Sequence, residues 1–300
     1  MKILITGSTG LLGQALSHRL ARAAEVTGLA RHAPADPLPG RHVVCDLLDA
    51  EGTARVIETV RPDAVIHAQA LSDVDRCERE PQLAHRMNVE TTQHLVEALR
   101  GSAGVLVYVS TDYVFDGTQR TPYVEMDRPN PLSVYARSKL DGERTVLEHP
   151  TAIVVRPSTL FGPARMNFCN AVVQAAGERR TIEAFSDQTT SPTYTEDCAD
   201  ALEALVRWRM TEPGRAGPRI YHVANDGACP RLTLAYRILE LLGAPRDVVR
   251  PVRMADQHRP APRPAYSALG TTELPNAIGR RLRPWDEALH AYLRQRRWLN

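Results

Sequence analysis

Tyr135 and Lys139 stand four residues apart, a spacing that puts both on one face of a helix. Lys139 is one of two lysines in 300 residues; the other is Lys2, and every remaining member of the 37 Lys+Arg is arginine. A lysine is a compact point charge with rotatable donors, unlike the rigid arginine fork. Beside a phenol, whose ordinary pKa is about 10, an ammonium favours the ionised form. The pair reads as a proton donor and its electrostatic tuner, able to act as general acid or base near neutral pH. Upstream, the apolar run Val105–Ser110 ends at Thr111, whose hydroxyl can donate to a substrate carbonyl. Thr111, Tyr135 and Lys139 are the candidate catalytic residues.

A second constellation opens the chain. Gly7, Gly10 and Gly13 follow the apolar run Lys2–Thr6 and precede the helical pattern Leu11, Leu12, Ala15, Leu16, Leu20. Glycines there permit a tight turn and let backbone N–H groups approach a pyrophosphate at a helix N-terminus. Gly7, Thr9, Gly10, Leu11, Leu12 and Gly13 are therefore cofactor-binding candidates, joined by Tyr135 and Lys139. An acid closing the second strand would bind the ribose of NAD, whereas an Arg suits the 2′-phosphate of NADP. Arg31 and His32 stand there, which favours NADPH over NADH, with Arg31 on the phosphate; the competing reading of Arg31 is an ordinary surface arginine. Asp46 and Leu47, after the third strand, suit the edge and face of an adenine. Ala68, Gln69 and Ala70, after the fourth, are small or neutral where the chain passes the cofactor.

The elements that would position these residues alternate. Strands are expected at Lys2–Thr6, Val26–Ala30, His42–Cys45, Ala64–Ala68, Val105–Ser110 and Ala152–Arg156, with helical stretches between several of them. Alternation with continuous apolar strands predicts βαβ units and a doubly wound parallel sheet of Rossmann type covered on both faces. Beyond residue 157 helices at Asn167–Ala176, Glu196–Trp208 and Thr233–Leu242 alternate with short strands at Thr181–Ala184 and Arg219–His222. The Pro/Arg-rich stretch Arg259–Pro264 reads as an ordered loop, and Trp285–Arg296 as a closing helix. The expected division is a dinucleotide-binding domain at 1–157 and, at 158–300, mainly a smaller α/β substrate-binding lobe, with elements free to interleave.

Composition narrows the function classes. A net charge of +2 gives no general field for nucleic acid or an anionic membrane. The local basic run Arg294–Arg297 reads as a solvated helix end. Five scattered cysteines without Cys-x-x-Cys or Cys/His spacing predict reduced thiols and no zinc site. Met1 runs directly into a strand, without a leader pattern, and no apolar run reaches membrane-spanning length. A cytoplasmic location is expected.

These residues resemble the extended short-chain dehydrogenase/reductases, and more narrowly the dTDP-4-dehydrorhamnose reductases. The resemblance spans the chain: Ile5–Gly13, Glu80-Pro81 with Asn88-Val89, Val109–Gly117 (Val-Ser-Thr-Asp-Tyr-Val-Phe-Asp-Gly), Pro122–Asp127, Pro131–Glu143, Asp187-Gln188 with Ser191–Thr193, and Arg263-Pro264. It implies NADPH-dependent reduction of the C4 ketone of a nucleotide-linked 4-keto-6-deoxysugar, giving dTDP-L-rhamnose from dTDP-4-dehydrorhamnose. It also implies substrate-binding roles for Asp112, Tyr113, Phe115, Thr159, Gln188, Thr193 and Arg263. Some relatives form homodimers with Mg²⁺ at the interface; the sequence names no ligands for that ion. The related dehydratases carry a second acid where Tyr113 stands. Thr159 replaces an aromatic that lines the sugar pocket, Gln69 and Leu71 replace Ala and Tyr, and Gly270 replaces Asp or Asn. Two alternatives stay open: another sugar-nucleotide 4-ketoreductase or epimerase, and a non-catalytic cofactor-binding subunit like the methionine adenosyltransferase β subunit.

Overall fold

The computed structural model describes residues 1–211 and 219–299. Strands β1 (Lys2–Thr6), β2 (Glu25–Ala30), β3 (Arg41–Val44), β4 (Ala64–His67), β5 (Val105–Val109) and β6 (Ile153–Arg156) carry the first half. Between them run helices α1 (Leu11–Leu20), α2 (Ala50–Val60), α3 (Val74–Arg79), α4 (Pro81–His85), α5 (Thr91–Ala98) and α6 (Val134–Val146). The second half holds β7 (Leu160–Phe161), α7 (Phe168–Glu178), β8 (Ile182–Phe185), β9 (Thr189–Thr190), β10 (Thr193–Tyr194) and α8 (Thr195–Thr211). After these come β11 (Ile220–His222), β12 (Cys229–Pro230), α9 (Arg231–Leu242), β13 (Val249–Val252), α10 (Leu274–Ile278) and α11 (Trp285–Gln295).

Seven strands form one sheet in the order β11-β6-β5-β4-β1-β2-β3, every neighbour parallel. Side chains alternate across it. Ile3, Ile5, Ile66 and Val107 pack with Leu12, Leu16 and Leu20 of α1 and Leu202 and Leu205 of α8. Leu4, Val65, Leu106 and Val154 pack on the opposite face with Ile57, Leu95 and Val146. Both faces being covered explains why the strands read as unbroken apolar runs. The order of winding reverses between β1 and β4, which opens the ligand crevice at their carboxyl ends.

The second half returns to this sheet. β11 pairs with β6, and α8 lies against α1 in the same core. The remaining elements build a smaller core from α7, α9 and α11, with Phe161 stacked on Tyr194 at 5.5 Å. A strap through Arg259–Ser267 then crosses back over α3. Arg263 forms a bidentate pair with Asp75 at 3.0 and 2.8 Å, and the Ala261 N–H donates to the same carboxylate at 3.2 Å. Arg259–Pro264 is thus an ordered loop without helix, as its prolines predict. No helix among the described residues is long and apolar enough to cross a membrane.

Candidate active site

The glycine loop is held by backbone. Gly7 has φ +68°, and a Cβ there would lie 2.8 Å from the Gln69 backbone. A Cβ on Gly13 would lie 2.1 Å from the Gly7 carbonyl oxygen. Gly10, which carries no side chain, stands at the N-cap of α1. That cradle fits a dinucleotide pyrophosphate. Arg31 is exposed just beyond β2, free to meet a 2′-phosphate. Thr9 and Leu11 are partly exposed, while Leu12 is buried and packs beneath the loop. Ala68, Gln69 and Ala70 are partly exposed across the crevice, and Gln69 Oε1 accepts from the Thr91 hydroxyl at 3.2 Å. Asp46 accepts from the Leu48 N–H at 3.0 Å. Leu47 departs from expectation: it is 2% exposed and packs into the core with Leu4 and Leu95, so it offers no face to an adenine.

Helix α6 presents the proposed acid. Ser133 caps it by accepting from the Ala136 N–H at 3.2 Å, and Glu78 of α3 accepts from the Val134 N–H at 2.9 Å. These two contacts fix where Tyr135 enters the cleft. One turn on, Lys139 is 1% exposed, with Nζ 4.1 Å from the Tyr108 ring centre. A Cβ on Gly142 would lie 2.1 Å from the Tyr108 hydroxyl, so the glycine is what lets α6 press this close to β5. Burial pulls the Lys139 pKa down to about 7, with Glu143 pulling it back up. Burial pushes the Tyr135 phenol above its ordinary value, opposed by a hydrogen bond from Thr111. Desolvation therefore sets the direction for this phenol, upward, opposite to the lowering expected from Lys139.

Beneath Lys139, Glu143 and Arg156 form a bidentate pair at 2.9 and 2.6 Å, both side chains 2% exposed. The Ser110 hydroxyl donates to the same carboxylate at 2.5 Å. Asn88 sits in a single π-turn, Arg86–Glu90. Its side chain accepts from the Leu71 N–H at 2.7 Å and donates to Ser138 Oγ at 2.9 Å. Ser138 in turn donates to the Tyr135 carbonyl at 2.8 Å. Neither Asn88 nor the Glu143–Arg156 pair was singled out as a site residue from sequence. The available signal for Glu143 was its position one further turn along the Tyr135–Lys139 face.

The structure redistributes the expected substrate residues. Tyr113 is partly exposed and edge-on to Tyr135, ring centres 6.3 Å apart. Thr159 is partly exposed with φ +38°, a strained conformation for a β-branched residue. The others turn inward. Phe115 is fully buried and stacked on Tyr123 at 4.2 Å. Gln188 is 1% exposed and lies behind Tyr113, donating to its hydroxyl at 3.3 Å. Thr193 is fully buried in β10 and donates to the Ser191 carbonyl at 3.1 Å. Arg263 is committed to Asp75, not free for a phosphate. Asp112 is 3% exposed, with its carboxylate among the hydroxyls of Thr111 (3.2 Å), Ser158 (2.8 Å) and Ser267 (2.6 Å). A cavity of about 620 Å³ opens elsewhere, at the amino ends of β4 to β6, lined by Arg61, Asp63, Gly104 and Thr151. It contains none of these residues.

Residues 1–297 match the family described as the RmlD substrate binding domain. The chain belongs to that family. It is 36% identical to the dTDP-4-dehydrorhamnose reductase of Streptomyces griseus, over 95% of this chain and 91% of the relative. It is equally 36% identical to a probable dTDP-4,6-dihydroxy-2-methyloxan-3-one 4-ketoreductase of Streptomyces antibioticus, over 96% and 93%. Its fold matches the crystal structure of dTDP-4-dehydrorhamnose reductase from Bacillus anthracis in complex with NADP. The TM-score is 0.88 at 28% identity, covering 98% of this chain and 99% of the other.

Proposed function

We propose that the protein reduces the C4 ketone of a nucleotide-linked 4-keto-6-deoxysugar with NADPH, converting dTDP-4-dehydrorhamnose to dTDP-L-rhamnose. The observation that carries this reading is the family match across residues 1–297, supported by a glycine loop at the N-terminus of α1 and by Tyr135 and Lys139 one turn apart on α6. When bound, the dinucleotide supplies hydride. The Gly7–Gly13 loop holds its pyrophosphate, Arg31 its 2′-phosphate and Lys139 the nicotinamide ribose. Thr111 polarises the ketone, and Tyr135 protonates the oxygen as it becomes an alkoxide. Tyr113, backed by Gln188, and Thr159 border the sugar.

The chemistry is tested by Tyr135→Phe. Loss of a positioned acid costs about 10²–10⁴-fold, so kcat falls by that order while NADPH affinity, measured by fluorescence titration, stays within about twofold. Unchanged turnover removes Tyr135 from its role. A second reading, reduction of a different 4-ketosugar, draws on Thr159 standing where relatives place an aromatic and on the equal identity to the Streptomyces antibioticus protein. NADPH oxidation against a panel of nucleotide 4-ketosugars, with NMR of each product, separates the two. The intact Thr111, Tyr135 and Lys139 set weighs against a non-catalytic subunit.

A further inference from the structure

Lys139 and Glu143 stand four residues apart on α6, the spacing at which an ammonium and a carboxylate ordinarily meet. Here they do not pair. Among the described residues Lys139 Nζ makes no hydrogen bond or ion pair; it lies over the Tyr108 ring, 4.1 Å from its centre. The Glu143 carboxylate is turned to the sheet instead. Arg156 of β6 donates to Oε1 from Nε at 2.9 Å and to Oε2 from Nη2 at 2.6 Å, and Ser110 Oγ donates to Oε1 at 2.5 Å. Arg156 pairs with no second acid among the described residues. Its Nη1 is buried without a partner, and its guanidinium carbon lies 5.3 Å from the Phe115 ring centre.

The competition for Glu143 is uneven. A guanidinium fork matches both oxygens of a carboxylate at once, whereas an ammonium meets it as a point charge. The consequence falls on Lys139. A lysine already bonded to a buried carboxylate must break that bond to reach another acceptor; an unpaired one keeps its three donors. We infer that Arg156 is a positioning residue that acts through Glu143: it holds the carboxylate off Lys139, so that the ammonium stays unpaired and open to the dinucleotide.

The neighbouring titratable groups leave this arrangement in place. Besides Glu143, Lys139 faces Tyr108 of β5 and His67 of β4. Burial, with Lys139 adding to it, holds the His67 pKa down to about 3, and burial pushes the Tyr108 phenol up. Both are neutral, so neither competes with Glu143 for the ammonium. Tyr135 precedes Lys139 by one turn of α6. Glu78 of α3 is taken up by the Val134 N–H at 2.9 Å. Beyond Arg156, His222 of β11 and Glu125 face the pair, the His222 pKa lowered to about 4 by burial. Glu125 is itself engaged by the His222 and Glu273 N–H groups, each at 3.2 Å.

The inference rests on the cofactor role that the proposed function gives Lys139, so its first test needs neither substrate nor cofactor. The chain has two lysines; ¹³C-lysine labelling gives two Cε signals to follow by NMR as pH rises, and Lys2→Arg assigns them. In wild type the Lys139 signal should titrate near pH 7. Titration at the ordinary lysine value of about 10.4 or above would mean that Glu143 already serves Lys139, and would overturn the proposal. Arg156→Met frees Glu143, so the Lys139 pKa should rise by about one to three pH units. NADPH dissociation should rise with it, about 10–100-fold in a fluorescence titration. Adding Glu143→Gln, which keeps an acceptor for Ser110, should undo both effects. NADPH affinity should return to within about twofold of wild type, because a buried pair removed as a whole strands no charge. If Arg156→Met does not fold by itself, the wild-type titration and the double variant still decide. A double variant that binds NADPH 10–100-fold more weakly than wild type would show Arg156 to be a brace for α6, and would overturn the proposal, as would a Lys139 pKa that stays in place in Arg156→Met. A raised Lys139 pKa with unchanged NADPH affinity would support the diversion of Glu143 and sink the cofactor role of Lys139 instead.

Discussion

On the glycine-loop side of the cleft, geometry is set by backbone approaching backbone; on the strap side it is set by side chains gripping one another. Gly7 and Gly13 bring the first loop against Gln69 and against itself at distances no Cβ tolerates. Across the cleft, Arg263 holds Asp75, and Gln188 braces Tyr113. The contrast bears on how each side tolerates change. A backbone contact admits one residue type, whereas a side-chain pair can be exchanged for another pair. The glycine-loop side is therefore the rigid half of the cleft, and the strap side the adaptable half; on the proposed function these are the cofactor and the sugar sides.

Substitutions on each side should separate these roles. The largest effect is expected from Gly13→Ala. Forcing a methyl against the Gly7 carbonyl costs about 1–3 kcal/mol, so NADPH dissociation should rise about 10–100-fold in a fluorescence titration. Unchanged affinity would mean that the loop yields, and the contrast would fail. Arg263→Ala frees the strap and strands Asp75, losing charge-assisted bonds worth about 1.5 kcal/mol. KM for the ketosugar should rise about tenfold while NADPH affinity holds; loss of both together would make the strap part of the rigid half.

A third test is a pH dependence of stability. Lys139 has a pKa of about 7 in the fold against about 10.4 in an unfolded chain. Between those values the unfolded chain binds a proton that the folded one lacks, so stability contributed by this group rises with pH. Melting temperature of the cofactor-free protein should climb more steeply from pH 7 to 10 in wild type than in Lys139→Met. Parallel slopes would show the ammonium to be charged in the fold.

Much of the sheet was legible because its strands are buried on both faces and announce themselves as apolar runs. β1, β4 and β5 fall within a residue of expectation, and the loops that follow them carry the candidate residues. What sequence did not convey was direction. Asp112–Val114 winds as a 3-10 turn, which leaves Tyr113 partly exposed but turns Asp112 and Phe115 inward. Residue type alone cannot tell those sides apart. Leu47 failed for the same reason, since an apolar residue beside a ligand reads like one in the core. Arg263 misled because a guanidinium fits a carboxylate as well as a phosphate. Asn88 was hidden because a π-turn breaks the helical period that would have marked its face.

The return of β11 to the sheet constrains how the protein can be made. A chain released at residue 157 would carry β6 as an open edge and leave uncovered the face on which α8 lies, a template for pairing with other chains. During synthesis that edge waits until residue 222 has left the ribosome. Expressing residues 1–157 alone should therefore yield aggregates, and the sheet gains its last strand only when nearly three quarters of the chain has been made.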